Sequence, residues 1–189
     1  MLRVTMLVVL VALFSPTTAV SNPLPNGVVG LYPDANASTR CLYDSETGEL
    51  HVFVVHDRTA PFLDAMYLRF SAPKPECLHA TYLYDIGGPG GAITSGNSQT
   101  GVEVSLLGCQ PAPGAGHVMT IVYAATGQTP TDCWYDVLPD HLGRLEAVGC
   151  DMSPYEVVSS TALVNPSRPG LCVVATEETT WGQVKALYR

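Results

Sequence analysis

Cysteine and histidine are the side chains here whose chemistry depends most on spacing. Of 189 residues, six are Cys and five are His. Cys41, Cys77, Cys109, Cys133, Cys150 and Cys172 show no two-residue separation of the kind that builds a zinc knuckle or a redox motif, so metal binding by thiolates is disfavoured. An even number in a chain with an export-type leader points instead to disulfides. Spacing alone leaves the connectivity open; the expectation is sequential pairing, 41–77, 109–133 and 150–172. His51 and His56 differ by an odd number, which puts them on opposite faces of a regular strand and denies them a shared metal. His79, His117 and His141 are scattered. Asp44, Glu46 and Glu49 surround Gly48 but lack the twelve-residue calcium-loop pattern. Asp132, Asp136 and Asp140 would share parity were Pro139 not between them, so a weak calcium site built from loops stays open.

Other catalytic signatures are missing from the sequence. Gly87-Gly-Pro-Gly-Gly91 is followed by no Gly-Lys-Ser/Thr and is not a phosphate loop. There is no Gly-x-Ser-x-Gly elbow and no metalloprotease His-Glu pair. The reading therefore assigns no catalytic residue, cofactor or metal. Aromatic residues offer a different chemistry. Tyr82 and Tyr84 would share one strand face, with Trp134 nearby, and rings aligned in this way can stack on sugars or anchor a protein ligand.

The N-terminus orders Arg3, the apolar run Met6–Phe14, the breaker Ser15-Pro16 and small Thr17-Thr18-Ala19, as in a secretory signal peptide. The run is shorter than the roughly 20 residues of a permanent span. Residues 1–19 are read as the leader, with Ser21 as the alternative cleavage site, and 20–189 as one disulfide-bonded domain. Eight basic residues then stand against seventeen acidic ones, a formal charge of −9. Scattered cations on an acidic chain disfavour nucleic acid and anionic membranes.

Gly (17) and Pro (15) are frequent while charged residues are sparse, which suits short strands joined by many turns. Gly101–Leu106 alternates apolar and polar, and Val118–Ala125 is apolar on both parities, as in a strand buried on both faces. Further strands are expected at Val28–Tyr32 (edge-like), Glu49–His56, Phe62–Phe70, Leu78–Tyr84, Cys133–Leu138, Leu145–Val148, Tyr155–Val158, Thr161–Val164 and Leu171–Ala175. Residues 86–100 are read as a long structureless loop. Asn36-Ala37-Ser38 matches a glycosylation acceptor. The tail places Trp181, Val184, Leu187 and Tyr188 at helical spacing behind Thr180, so a short terminal helix is expected.

The pattern Gly101-x-x-x-x-Leu-Leu-Gly-Cys109, the proline-rich loop, the apolar strand, Cys133 and the tail Thr179–Arg189 together resemble exported bacterial proteins with a cohesin-type or immunoglobulin-like β-sandwich. The resemblance covers mainly residues 100–189 and supplies no catalytic residues. It implies an all-β sandwich of about nine strands with a non-catalytic role, binding a protein or glycan partner outside the cell. Two alternatives are a secreted hydrolase with a site near residues 86–100 and a passive envelope component.

Overall fold

The structure, a computed structural model, describes residues 27–44, 47–58 and 64–172. Strand β3 (Glu49–Arg58) shows why these residues form a sandwich: Leu50, Val52 and Val54 are buried while His51 between them is exposed. Side chains of a strand alternate between faces, so one face of β3 is committed to a core. β3 lies between β1 (Val28–Tyr32) and β8 (Gly114–Ala125), and the first sheet runs β12 (Val158–Ser160), β1, β3, β8, β5 (Ala80–Gly87). The second sheet runs β11 (Pro154–Glu156), β10 (Glu146–Val148), β4 (Ala65–Phe70), β7 (Gly101–Gln110), β6 (Ile93–Asn97). A small third sheet orders β2 (Cys41–Leu42), β13 (Ala162–Val164) and β9 (Cys133–Tyr135). Thus the all-β sandwich expected from the turn-rich composition is the observed fold.

Val29, Leu31, Val52 and Ile121 of the first sheet meet Leu68, Phe70, Val102 and Val104 of the second in one core. Val118 to Tyr123 are buried on both parities, because β8 sits between β3 and β5. Val54 pairs with Met119 and Val55 with His117, leaving Val118 as a bulge residue, so both Val118 and Met119 reach the core. A polar chain crosses this core. Gln99 Nε2 donates to Tyr123 Oη at 3.1 Å, the Tyr123 and Tyr135 hydroxyls are bonded, and Tyr135 Oη donates to the Ala72 carbonyl at 2.9 Å. Burial holds the Tyr123 phenol up at about 12 and the Tyr135 phenol higher still, so both stay neutral.

Several expectations need correction. The disulfides are Cys41–Cys172, Cys77–Cys133 and Cys109–Cys150, with Cα separations of 5.1, 5.7 and 5.6 Å, so none of the sequential pairs forms. Cys109 lies on β7 of the second sheet and Cys133 on β9 of the small one, and nearness along the chain is not nearness in a sandwich. Residues 86–100 are not a structureless loop: β5 continues to Gly87 and β6 pairs with β7 throughout Ile93–Asn97. Ser98 is fully buried and donates from N and Oγ to the Asp85 carboxylate at 2.7 and 2.8 Å, which ties β6 to β5 across the sandwich. Gly90 and Gly91, both at positive φ, make the intervening turn. β1 is not an edge, since β12 adds in parallel beside it. Ser159 and Ser160 belong to β12 rather than separating strands, and Leu171-Cys172 close a 3₁₀ turn, Pro169–Cys172, rather than opening a strand. The leader 1–19, Val173–Ala175 and the tail helix lie outside the described residues. Among the described residues no helix is long and apolar enough to cross a membrane.

Candidate functional site

The three aromatic residues singled out above do not form one platform. Register shifts between Tyr82 and Tyr84, a bulge that undoes their shared parity. Tyr82 turns inward and meets the Tyr123 ring edge-on at a centroid distance of 6.0 Å, while Tyr84 is exposed. Burial pushes the Tyr82 phenol up to about 12, with the Asp85 carboxylate adding to the effect. Trp134, 57% exposed, stands on β9 and lines a hollow with Val28, Arg40, Val158 and Leu171, beside the β12 edge of the first sheet. Tyr84 is on β5, the opposite edge.

The titratable residues serve as struts. Asp44 accepts from Thr129 N at 2.9 Å and from Asn165 Nδ2, which ties the β2 end to two later loops. Glu46 lies outside the described residues. Asp132 accepts from Ser167 N and Oγ, and this lowers its carboxyl below the usual range. Asp140 accepts three hydrogen bonds from Arg144, from its backbone N at 2.9 Å and from Nε and Nη2 at 2.9 and 2.7 Å. Asp64, Cys109 and Cys150 come together with metal-ligand spacing, but both sulfurs are consumed in their disulfide and offer no thiolate. His51 is exposed and bonded to Glu49, while His56 is fully buried on the other face, as the odd spacing predicts. Both His56 ring nitrogens lack a hydrogen-bond partner among the described residues, and burial followed by the Arg58 charge pulls its pKa down to about 3. His117 bonds Thr120 at 2.9 Å, and burial lowers its pKa as well.

A coherent surface appears on the outward side of the second sheet. Leu68 and Phe70 of β4 point inward, so Tyr67 and Arg69 must point out. Register then places Arg69 opposite Glu103 of β7 and Glu146 of β10. Its guanidinium bridges both, Nε to Glu103 at 2.6 Å and Nη1 to Glu146 at 2.8 Å. These hydrogen bonds raise the Arg69 pKa and hold the fork flat against the sheet. Apolar groups surround this charge cluster. Tyr67, Val148, Met152 and Pro154 join Arg69 and Glu103 around a shallow hollow of about 250 Å³. On the β6–β7 side stands Ile93, 62% exposed, and on the other side Met152, 62% exposed; Leu107 lies away from this cluster, over Gly91 of the β5–β6 turn. Parity along β4 was the only sequence signal for this face. The partners of Arg69 come from 34 and 77 positions away, too far for pattern reading to assemble.

No family model and no curated protein matches the chain. Solved structures do. A cohesin module from a Clostridium perfringens family 33 glycoside hydrolase superposes with a TM-score of 0.51 at 5% identity, covering 76% of this chain and 100% of its own. The sixth cohesin of Acetivibrio cellulolyticus scaffoldin B, solved in complex with a dockerin, gives 0.50 at 8% identity, covering 75% of this chain and 99% of its own. The described sandwich therefore has the cohesin fold, at a sequence distance where only the fold is shared.

Proposed function

We propose that this chain is an exported, non-catalytic binding module that docks a protein partner on the outward face of its second sheet. The observation that carries the reading is the pair of exposed apolar side chains Ile93 and Met152, with half-buried Tyr67, flanking the Arg69–Glu103–Glu146 cluster. Large apolar side chains gathered on a rigid sheet face are what a partner buries, and a fixed central charge cluster supplies orientation. The structural neighbour from Acetivibrio cellulolyticus, bound to a dockerin in its crystal, supports use of such a sandwich for protein docking. Export is supported by the basic, apolar and small order of residues 3–19 and by three disulfides, which persist in oxidising compartments. Residues 20–189 form the single working domain on this reading.

The test immobilises the disulfide-bonded protein and passes over it the extracellular proteins of the producing cells. A partner retained by the native protein, lost with Ile93→Asp and Met152→Asp, and kept with Trp134→Ala supports the reading. Equal retention by all variants contradicts it. A second reading, stacking of a glycan, is favoured by the exposed Trp134 indole on its hollow; it requires Trp134→Ala alone to abolish binding to a polysaccharide panel.

A further inference from the structure

At one end of the sandwich the β7–β8 hairpin and the β5–β6 turn enclose a cavity of about 140 Å³, lined by Arg58, Pro89, Ala92, Leu106, Leu107 and Gln110. Arg58 ends β3 and is only 5% exposed. Its Nε donates to the Pro111 carbonyl at 3.1 Å, and among the described residues its two terminal nitrogens donate to no acceptor and form no ion pair. Two glycines make room for the fork: a Cβ at Gly116 would stand 3.1 Å from Nη1, and one at Gly114 would stand 3.7 Å from Nη2. Asp57, on the opposite parity of the strand, acts on the guanidinium only from beyond ion-pair distance, and His56 on the same face is a buried imidazole with no hydrogen-bond partner among the described residues.

A largely buried cation in an acidic chain, whose two terminal nitrogens face an open cavity and have no acceptor among the described residues, is a place for an anion to bind. Its planar pair of donors matches a carboxylate, which accepts both bonds at once. Pro89, Ala92, Leu106, Leu107 and Val118 offer a wall to a short hydrocarbon, while Gln110 and His117 are the other polar side chains of the lining; Arg58 is its one permanent cation, which suits a monoanionic carboxylate better than a phosphate dianion. Water occupies roughly 30 Å³ in the liquid, so the cavity has the volume of roughly four or five waters, enough for an acid of a few carbons.

We propose that this end cavity is a binding site for a short aliphatic carboxylate, held by the Nη1/Nη2 fork of Arg58 with its chain against Pro89, Ala92, Leu106 and Leu107. The carboxylate is either a free short-chain acid or the C-terminus of an apolar peptide. The site is independent of the docking face on the second sheet.

The experiment follows backbone amide shifts of the ¹⁵N-labelled, disulfide-bonded protein during titration. The probes are butyrate, butyramide, and an acetylated Ala-Val-Leu peptide with a free or an amidated C-terminus. Saturable shifts at Gly90 and Gly116 with butyrate, and none with butyramide, are expected. Arg58→Met and Leu107→Asp should each weaken butyrate at least about tenfold. Leu107 is a surface side chain, so its variant keeps the fold and the test survives if Arg58→Met does not. Free-acid peptide binding above butyrate, lost on amidation, identifies a chain terminus as the ligand; butyrate binding without peptide binding identifies a free acid. Absence of saturable shifts with both acids, equal shifts with butyramide, or undiminished binding by Arg58→Met and Leu107→Asp would overturn the proposal.

Discussion

His56 makes the stability of this protein depend on pH in a window where few other side chains titrate. Its ring is fully buried, both nitrogens have no hydrogen-bond partner among the described residues, and its pKa falls from 6.5 to about 3. In the unfolded chain the imidazole takes a proton as pH drops through about 6.5, while in the folded chain it stays neutral until about pH 3. The unfolded state therefore binds more protons in between. Stability is complete above about 6.5, declines as pH falls toward 3, and flattens below. Taking 1.36 kcal/mol per pKa unit, the loss between pH 7 and pH 5 is about 2 kcal/mol for this residue alone. Carboxylates lowered by their partners, such as Asp132 and Asp140, lose their contribution only around and below the ordinary aspartate value of 3.8 and leave pH 5–7 clear. The assay is urea unfolding at pH 7, 6 and 5 with the disulfides intact, for the native protein and for His56→Leu. The substitution should remove most of the slope, and the small remainder belongs to His117, whose pKa is also lowered. Parallel lines for the two proteins would refute the reasoning.

Tyr135→Phe removes two buried hydrogen bonds, to the Ala72 carbonyl and to the Tyr123 hydroxyl, each of which then keeps only Gln99 Nε2; a loss of about 1–3 kcal/mol is expected by the same urea assay. Asp85→Ala deprives buried Ser98 of the acceptor for both its donors, N and Oγ, so amide hydrogen exchange should accelerate in Ile93–Asn97 while β3 and β8 keep their protection. Removing Cys41–Cys172, which spans 131 positions, should cost roughly 5 kcal/mol, against roughly 4 for Cys109–Cys150, which spans 41, as thermal melting of the paired serine variants will read.

Legibility in the sequence followed the physics of each element. β3 and β7 alternate because each has one face in the core and one outside, so their period is written in the residues. β8 reads as apolar on both parities because it is central. β6 was missed because Ile93-Thr-Ser-Gly-Asn97 carries neither alternation nor strong β propensity; its strand exists through pairing with β7 and the Asp85–Ser98 tie. Disulfide partners were missed for a related reason, since they depend on which strands the sandwich stacks. The Tyr82–Tyr84 pair failed through one bulge, which parity counting does not see. The candidate docking face combines outward residues of β4, β6, β7 and β10 with Met152 from a turn, and no local pattern joins them.

The proposed docking face is tested most directly by placing a photo-crosslinking amino acid at Ile93, at Met152 or at Trp134 in the protein made by its producing cells. The account predicts a covalent adduct with one and the same protein from positions 93 and 152, and none from 134. Adducts from 134 alone, or from none of the three, would contradict it.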